Sequence, residues 1–346
     1  MSARPGRNGR LGSRYLRAVV AGLVAALLVA GPPAARIAGP ESVAWAAEDR
    51  PPAAGARSAI VVDADSGAVL YEKNSREEYA PASLTKMVTA LVAVERAPLD
   101  RLVRAGHAYN VVPVLIGLET GDTLTLQDAL SGLLIESGND AALAIAEAVA
   151  DGSSDRFVGW MNELVARLGL KNTRFRNPHG LDQEGHVSSA YDMAVIGRTL
   201  MRQPVLARIV GQRRHEVEGP PRWVFRTRNP LLGVYPGVDG IKTGFDDLAG
   251  LCLVATAVRG DRRAVAVVMN SPRYGDDTAS LLDYAFADGR WGPARTVQGA
   301  GVRSGPARST RIAMLRADLA AAGEGVPPSV SRAGRLLRSS ATGPRP

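Results

Sequence analysis

Three short strings, Ser83-Leu84-Thr85-Lys86, Ser137-Gly138-Asn139 and Lys242-Thr243-Gly244, constrain this 346-residue chain more than any other feature. They lie far apart and in unlike local settings. From Ala82 to Glu95 the residues are good helix formers, with Leu84, Met87, Val88, Leu91 and Val92 at helical spacing, so Ser83 falls at the very start of a helix. Leu124 to about Val149 reads as two helices interrupted at Glu136-Ser137-Gly138-Asn139-Asp140, where glycine permits tight backbone geometry. Val238 to Thr243 reads as a strand. For the three strings to act together, the fold must bring a helix start, a helix break and a strand edge to one place.

The residue types suit attack on an acyl carbon. Residues three apart share a helix face, so the Ser83 hydroxyl and the Lys86 amine fall within hydrogen-bond reach. A serine hydroxyl is a poor nucleophile at neutral pH, and a lysine serves as its base only when burial or a nearby cation lowers its pKa. Lys242 is such a cation if its strand lies against the helix. The N–H of Ser83 at the helix N-terminus, and that of Phe245 or its neighbour, are placed to hold a developing oxyanion. The Ser137 hydroxyl can relay a proton, and the Asn139 amide can hold both a substrate carbonyl and the Lys86 amine. Lys242 and Thr243 can bind a terminal carboxylate by charge and hydroxyl, while Gly244 is expected to leave room for a peptide along the strand. Taken singly, each string has a plainer reading: a solvated helix face, an ordinary helix cap at Ser137 or Asn139, and a β-turn with a surface lysine.

Around these strings the chain organises simply. Ala59–Asp63 and Ala68–Glu72 flank Asp65-Ser66-Gly67 in a hairpin pattern. Asp155–Leu168 and Ser189–Met201 read as further helices. Val238–Thr243, Gly250–Val258 and Ala264–Met269 are apolar runs bounded by glycine and charged turns, best read as adjacent antiparallel strands. Strands at both ends with helices between them indicate an α+β domain: one antiparallel sheet, holding the first and last strands, flanked by helices and accompanied by a helical subdomain.

The formal charge of +8 divides unevenly. Residues 1–50 carry seven Arg against three acids and residues 293–346 carry nine Arg against two, so the stretch between is mildly acidic. That distribution argues against a nucleic-acid partner for the core. Residues 1–46 read as a signal peptide: Arg4, Arg7, Arg10, Arg14 and Arg17 precede the apolar run Ala18–Ala30, and Ala44-Trp45-Ala46 supplies a small-x-small cleavage site. The expected division is then a linker at 47–56, a catalytic domain at 57–291 and a basic, mostly flexible tail at 292–346, with the catalytic domain outside the cytoplasm, secreted or associated with wall or membrane. Cys252 is the only cysteine, so no internal disulfide forms; its apolar setting marks it as a buried strand residue. His107, His179, His186 and His215 show no paired metal spacing, and all four read as structural or surface residues, with no metal and no cofactor.

Taken together, the motifs resemble those of a D-alanyl-D-alanine carboxypeptidase of the low-molecular-weight penicillin-binding type, over roughly Arg57 to Arg290. The resemblance extends to Ala80–Ala90, Ile135–Ala142, Asn177-Pro178-His179-Gly180-Leu181, Ser189–Ala194 and Val238–Phe245. It implies the β-lactamase and penicillin-binding transpeptidase fold and an acyl-enzyme mechanism on peptidoglycan stem peptides ending in D-Ala-D-Ala. Ser83, Lys86, Ser137 and Asn139 would be catalytic, and Lys242, Thr243, Gly244 and Phe245 would bind substrate. Penicillins, which imitate the dipeptide, would acylate Ser83. The family often adds an all-β domain and an amphipathic anchor; the 55 or so residues after the core are too few and too polar for both, although the basic tail could touch anionic lipid or wall polymer.

Three other readings compete. A D,D-endopeptidase uses the same residues to cut cross-links. A class A β-lactamase needs a water-activating Glu, and Glu163 and Glu184 fall in the right interval but in unlike surroundings. A catalytically silent wall-binding module would not need the intact set of Ser83, Lys86, Ser137, Asn139 and Lys242.

Overall fold

The computed structural model describes residues 52–287 except 54, 108, 110–113 and 220, together with Trp291. The signal peptide and the basic tail read from the sequence lie outside the described residues, as does most of the linker. A five-stranded antiparallel sheet forms the centre, in the order β2 (Val69–Lys73), β1 (Ser58–Asp63), β9 (Arg262–Met269), β8 (Gly250–Arg259), β7 (Val238–Asp246). The first and last strands are neighbours, with Ser58 opposite Met269 and Asp63 opposite Ala264, as the α+β reading requires.

Both faces of this sheet are covered, which is why its strands read as continuous apolar runs rather than alternating ones. The two-residue period divides each strand between two cores. Ile60, Val62, Cys252, Val254, Val265, Val267 and Met269 face the larger core, shared with helices α1 (Lys86–Arg96) and α5 (Ala190–Met201). Ala59, Val61, Leu253, Ala255, Ala257, Ala264, Ala266 and Val268 face the smaller core. The alanines on that second face let α7 (Tyr274–Phe286) settle closely through Ala279, Leu281, Leu282 and Ala285.

The helical part consists of α1, α2 (Leu126–Ser131), α3 (Asn139–Val149), α4 (Ser154–Arg167) and α6 (Pro204–Val210), with two small hairpins, β3–β4 (Leu102–Arg104, Thr123–Thr125) and β5–β6 (Arg214–Val217, Trp223–Arg226). The strand and helix expectations hold to within a residue or two at most ends. The small hairpins, α6 and α7 have no counterpart in the sequence reading. α7 opens on Tyr274, Gly275, Asp276 and Asp277, and its buried side is partly alanine, so its apolar periodicity is weak.

Two details of the fold position the site. β7 is the last strand of the sheet, so its outer edge is left for something other than β8. β7 also packs against the turn carrying Ser83, which is a 3-10 turn at Ala82–Thr85 and continues directly into α1.

Candidate active site

Ser83 is part-exposed in this 3-10 turn, whereas Lys86, one turn on, is completely buried. Three groups surround the Lys86 Nζ: Ser83 Oγ at 2.8 Å, Asn139 Oδ1 at 2.6 Å and the backbone carbonyl of His179 at 2.6 Å. Burial first, and then the Lys242 ammonium, hold Lys86 well below the ordinary lysine range, with the Asp140 carboxylate acting in the opposite sense. A neutral amine has two N–H donors and one lone pair. The amide and carbonyl oxygens can only accept, so they take the two donors. The lone pair is then left for the Ser83 hydroxyl, which donates across the same 2.8 Å. The arrangement can therefore deprotonate Ser83.

Asn139 reaches Lys86 because the chain breaks sharply before it. A π-helical turn at Gly132–Glu136 ends at Ser137, whose φ of 74° and ψ of 30° are left-handed, and α3 then starts with Gly138 as its cap residue. No side chain caps α3, so the helix-cap reading of Ser137 or Asn139 is not what the fold uses. Their side chains turn instead to the two lysines: Asn139 to Lys86, and Ser137 Oγ to Lys242 Nζ at 2.8 Å. Asp140, also buried, accepts from the N–H groups of Ile116, Gly117, Leu118 and Ala141, and so pins the 116–118 segment beside Gly138.

Lys242 is 2% exposed and donates also to the carbonyl of Thr243 at 2.8 Å. Burial and then the Arg228 guanidinium bring its pKa down to about 7, with Glu136 acting in the opposite sense. Thr243 is part-exposed and Phe245 is 63% exposed, so both remain reachable. Gly244 requires a correction. A Cβ there would point at Pro81 O (3.1 Å), Ala82 Cβ (3.3 Å) and Leu84 Cγ (3.3 Å), so the missing side chain lets β7 approach the Ser83 turn rather than leaving space for a peptide.

Several contributors escaped the sequence reading. His179 enters through its carbonyl, not its ring; burial holds the ring neutral, with a pKa lowered to about 3. Its loop is fixed from both sides. Thr89 Oγ1 donates to Pro178 O at 2.6 Å and Gly180 N–H to Asn177 Oδ1 at 2.7 Å. Gly180 has φ +95°, and a Cβ on it would lie 2.0 Å from Ala82 O, so only glycine allows the loop to press against the nucleophile turn. His186, behind the same turn, accepts from Arg176 N–H at Nδ1, leaves its Nε2 hydrogen for Thr85 Oγ1 at 2.8 Å and is likewise held neutral by burial. Of the two glutamates weighed for a β-lactamase, Glu163 pairs with Arg96 on an exposed part of α4 and Glu184 is exposed; neither touches the Ser83–Lys86 cluster. Among the described residues, no group of three His, Cys, Asp or Glu side chains is placed to hold a metal.

The profile of the D-alanyl-D-alanine carboxypeptidases, peptidase family S11, matches residues 45–273. The chain belongs to that family. Relatives include the D-alanyl-D-alanine carboxypeptidase DacF of Bacillus subtilis, 41% identical over 244 residues, which are 67% of this chain and 62% of that protein. DacA of Escherichia coli is 39% identical over 254 residues, covering 67% of this chain and 60% of that protein. The chain thus spans about three fifths of the length of these curated S11 relatives. Among solved structures, a D-alanyl-D-alanine carboxypeptidase from Mycobacterium tuberculosis superposes with a TM-score of 0.66 at 34% identity, covering 73% of this chain and 98% of that one. A mutant of the Streptomyces K15 DD-transpeptidase superposes with a TM-score of 0.64 at 28% identity, covering 67% and 98%. The α+β architecture is the one shared with these two structures.

Proposed function

We propose that the protein is a serine D-Ala-D-Ala carboxypeptidase that trims the terminal D-alanine from peptidoglycan stem peptides. The observation that carries this is the Lys86 amine: two acceptors occupy its donors and the Ser83 hydroxyl faces its lone pair. Ser83 attacks the penultimate D-Ala carbonyl as Lys86 takes its proton. The oxyanion develops toward the N–H groups of Ser83 and Phe245. The substrate lies along the free edge of β7, where main-chain pairing positions the scissile bond. Lys242, in its protonated form, and Thr243 bind the terminal carboxylate. The leaving amine receives a proton from Ser137 or Lys86, and water then hydrolyses the ester on Ser83. Penicillin acylates the same hydroxyl.

In this reading the catalytic domain is residues 57–291, delivered outside the cytoplasm by the segment at 1–46. The test is incubation with a muropeptide ending in D-Ala-D-Ala, following product masses, with Ser83→Ala as control. Loss of one alanine by the wild type alone is the expected result. A pentapeptide left intact while a cross-linked dimer is cleaved would replace carboxypeptidase by endopeptidase. Failure of penicillin to label Ser83 would overturn the acyl-enzyme.

A further inference from the structure

Lys86 and Lys242 are two buried amines in one cluster, and their tasks are opposite. Lys86 must be neutral to accept a proton, whereas Lys242 must be charged to hold a carboxylate. Burial acts on both alike and does not distinguish them. What differs is the surrounding charge. Asp140 faces Lys86, and its four N–H partners already stabilise its anion. At Lys242 the Arg228 guanidinium lowers the pKa and Glu136 opposes it more weakly, so the state of Lys242 depends on how far that guanidinium is offset.

Glu136, directly before Ser137, is bound at three points. Its carbonyl accepts from Arg228 Nε at 2.7 Å, Oε1 accepts from an Arg228 terminal nitrogen at 2.7 Å, and Oε2 accepts from the N–H of Arg226 at 3.0 Å. It therefore ties the end of β6 and the following segment to the turn whose serine accepts from Lys242. Without this carboxylate, Arg228 would stand beside Lys242 as an uncompensated cation.

We propose that Glu136 is a positioning residue of the site: it clamps Arg228 and offsets that guanidinium's repulsion of Lys242, which favours the cluster's proton on Lys242 and leaves Lys86 neutral as the base. Burial and Arg228 bring the Lys242 pKa down to about 7, where a change in a neighbouring charge alters its protonation at neutral pH. Two coupled amines titrate as a pair, and a shift at Lys242 reaches Lys86 through their mutual repulsion. The consequence for turnover rests on the carboxypeptidase reading; the charge assignment itself does not.

The chain has only four lysines, Lys73, Lys86, Lys171 and Lys242, so ¹³Cε-lysine NMR of the full protein resolves them, with Lys86→Met and Lys242→Met assigning the two buried signals. Glu136→Gln is expected to lower the Lys242 midpoint by about one unit, Arg228→Gln to raise it by a similar amount, and the double variant to return it close to wild type. The alkaline limb of kcat/KM for D-Ala release should move with the Lys242 midpoint. A midpoint in Glu136→Gln within about 0.2 units of wild type overturns the proposal, as does a double variant that stays as low as Glu136→Gln. If that variant does not fold, an unmoved Lys242 in Arg228→Gln overturns it equally. Should the wild type release no alanine while the midpoints move as stated, the carboxypeptidase reading fails and the charge assignment stands.

Discussion

Replacing Asn139 by Asp puts a carboxylate where a neutral amide oxygen now stands 2.6 Å from Lys86 Nζ. The side chains are nearly isosteric, so the change is one of charge. An opposite charge at this range favours the protonated amine by about 1–3 units, and each unit corresponds to about 1.4 kcal/mol, or tenfold in the neutral fraction. The proposed mechanism needs the neutral form, so the acid limb of kcat/KM is expected to move upward in pH by the same one to three units. Activity is depressed at neutral pH and recovers as pH rises through the new midpoint. Asn139→Ala removes the acceptor without adding charge. It leaves a buried N–H unpaired, at a cost of about 1–3 kcal/mol, and its loss should persist across the pH range. Stopped-flow acylation by a chromogenic β-lactam between pH 5 and 10 separates the two. A profile for Asn139→Asp that runs parallel to wild type, depressed equally at every pH, would refute the reasoning that Lys86 is a neutral base held by Asn139.

Three further outcomes follow from packing and burial. Gly180→Ala, which drives a Cβ to within 2.0 Å of the Ala82 carbonyl at a positive φ, should destabilise the domain by about 3 kcal/mol or more in denaturant melts; an unchanged midpoint would show the loop to be free to retreat. His186, lowered to about 4 from an unfolded value near 6.5, binds fewer protons folded than unfolded. Stability should therefore fall as pH drops from about 6.5 to 4, by up to about 3 kcal/mol, and His186→Gln should flatten that slope in urea titrations; an equally steep slope in the variant would assign it elsewhere. Cys252, fully buried with its thiol pushed up to about 12, should resist Ellman's reagent in the native protein and react on unfolding; rapid native labelling would contradict its placement.

How far the site could be read from the chain depended on whether a residue acts through its identity or through its backbone. That Ser83, Lys86, Ser137, Asn139 and Lys242 meet in one cluster was legible because the three strings carry distinctive side chains in a distinctive order. His179 was not, since a carbonyl belongs to every residue and only the tertiary position of the 177–181 loop aims this one at Lys86. Glu136 and Arg228 look like surface charges in sequence, and only the tertiary fold shows that they pair with each other next to Ser137, the partner of Lys242. Gly244 was read in the wrong direction: a glycine in a strand signals a close approach, but sequence cannot say which neighbour approaches, and here it is the Ser83 turn. The sheet was accessible from its apolar runs because both faces are buried, whereas α7 concealed its buried side behind alanine and an acidic first turn.

Burying two lysines is costly, and replacing such groups with apolar side chains often stabilises a protein. Here the cost is contained because the hydrogen-bond partners come from several parts of the chain. Lys86 draws on its own turn, on the break before α3 and on the 177–181 loop, while Lys242 draws on Ser137 and on its own strand. A shift of any of these segments removes a partner from a buried amine, so the two lysines tie the helical part to the sheet edge. The same arrangement explains why motifs that are ambiguous singly become decisive together. A cap, a turn and a surface lysine need no partners. A neutral base and a charged anchor inside one core need all of theirs at once.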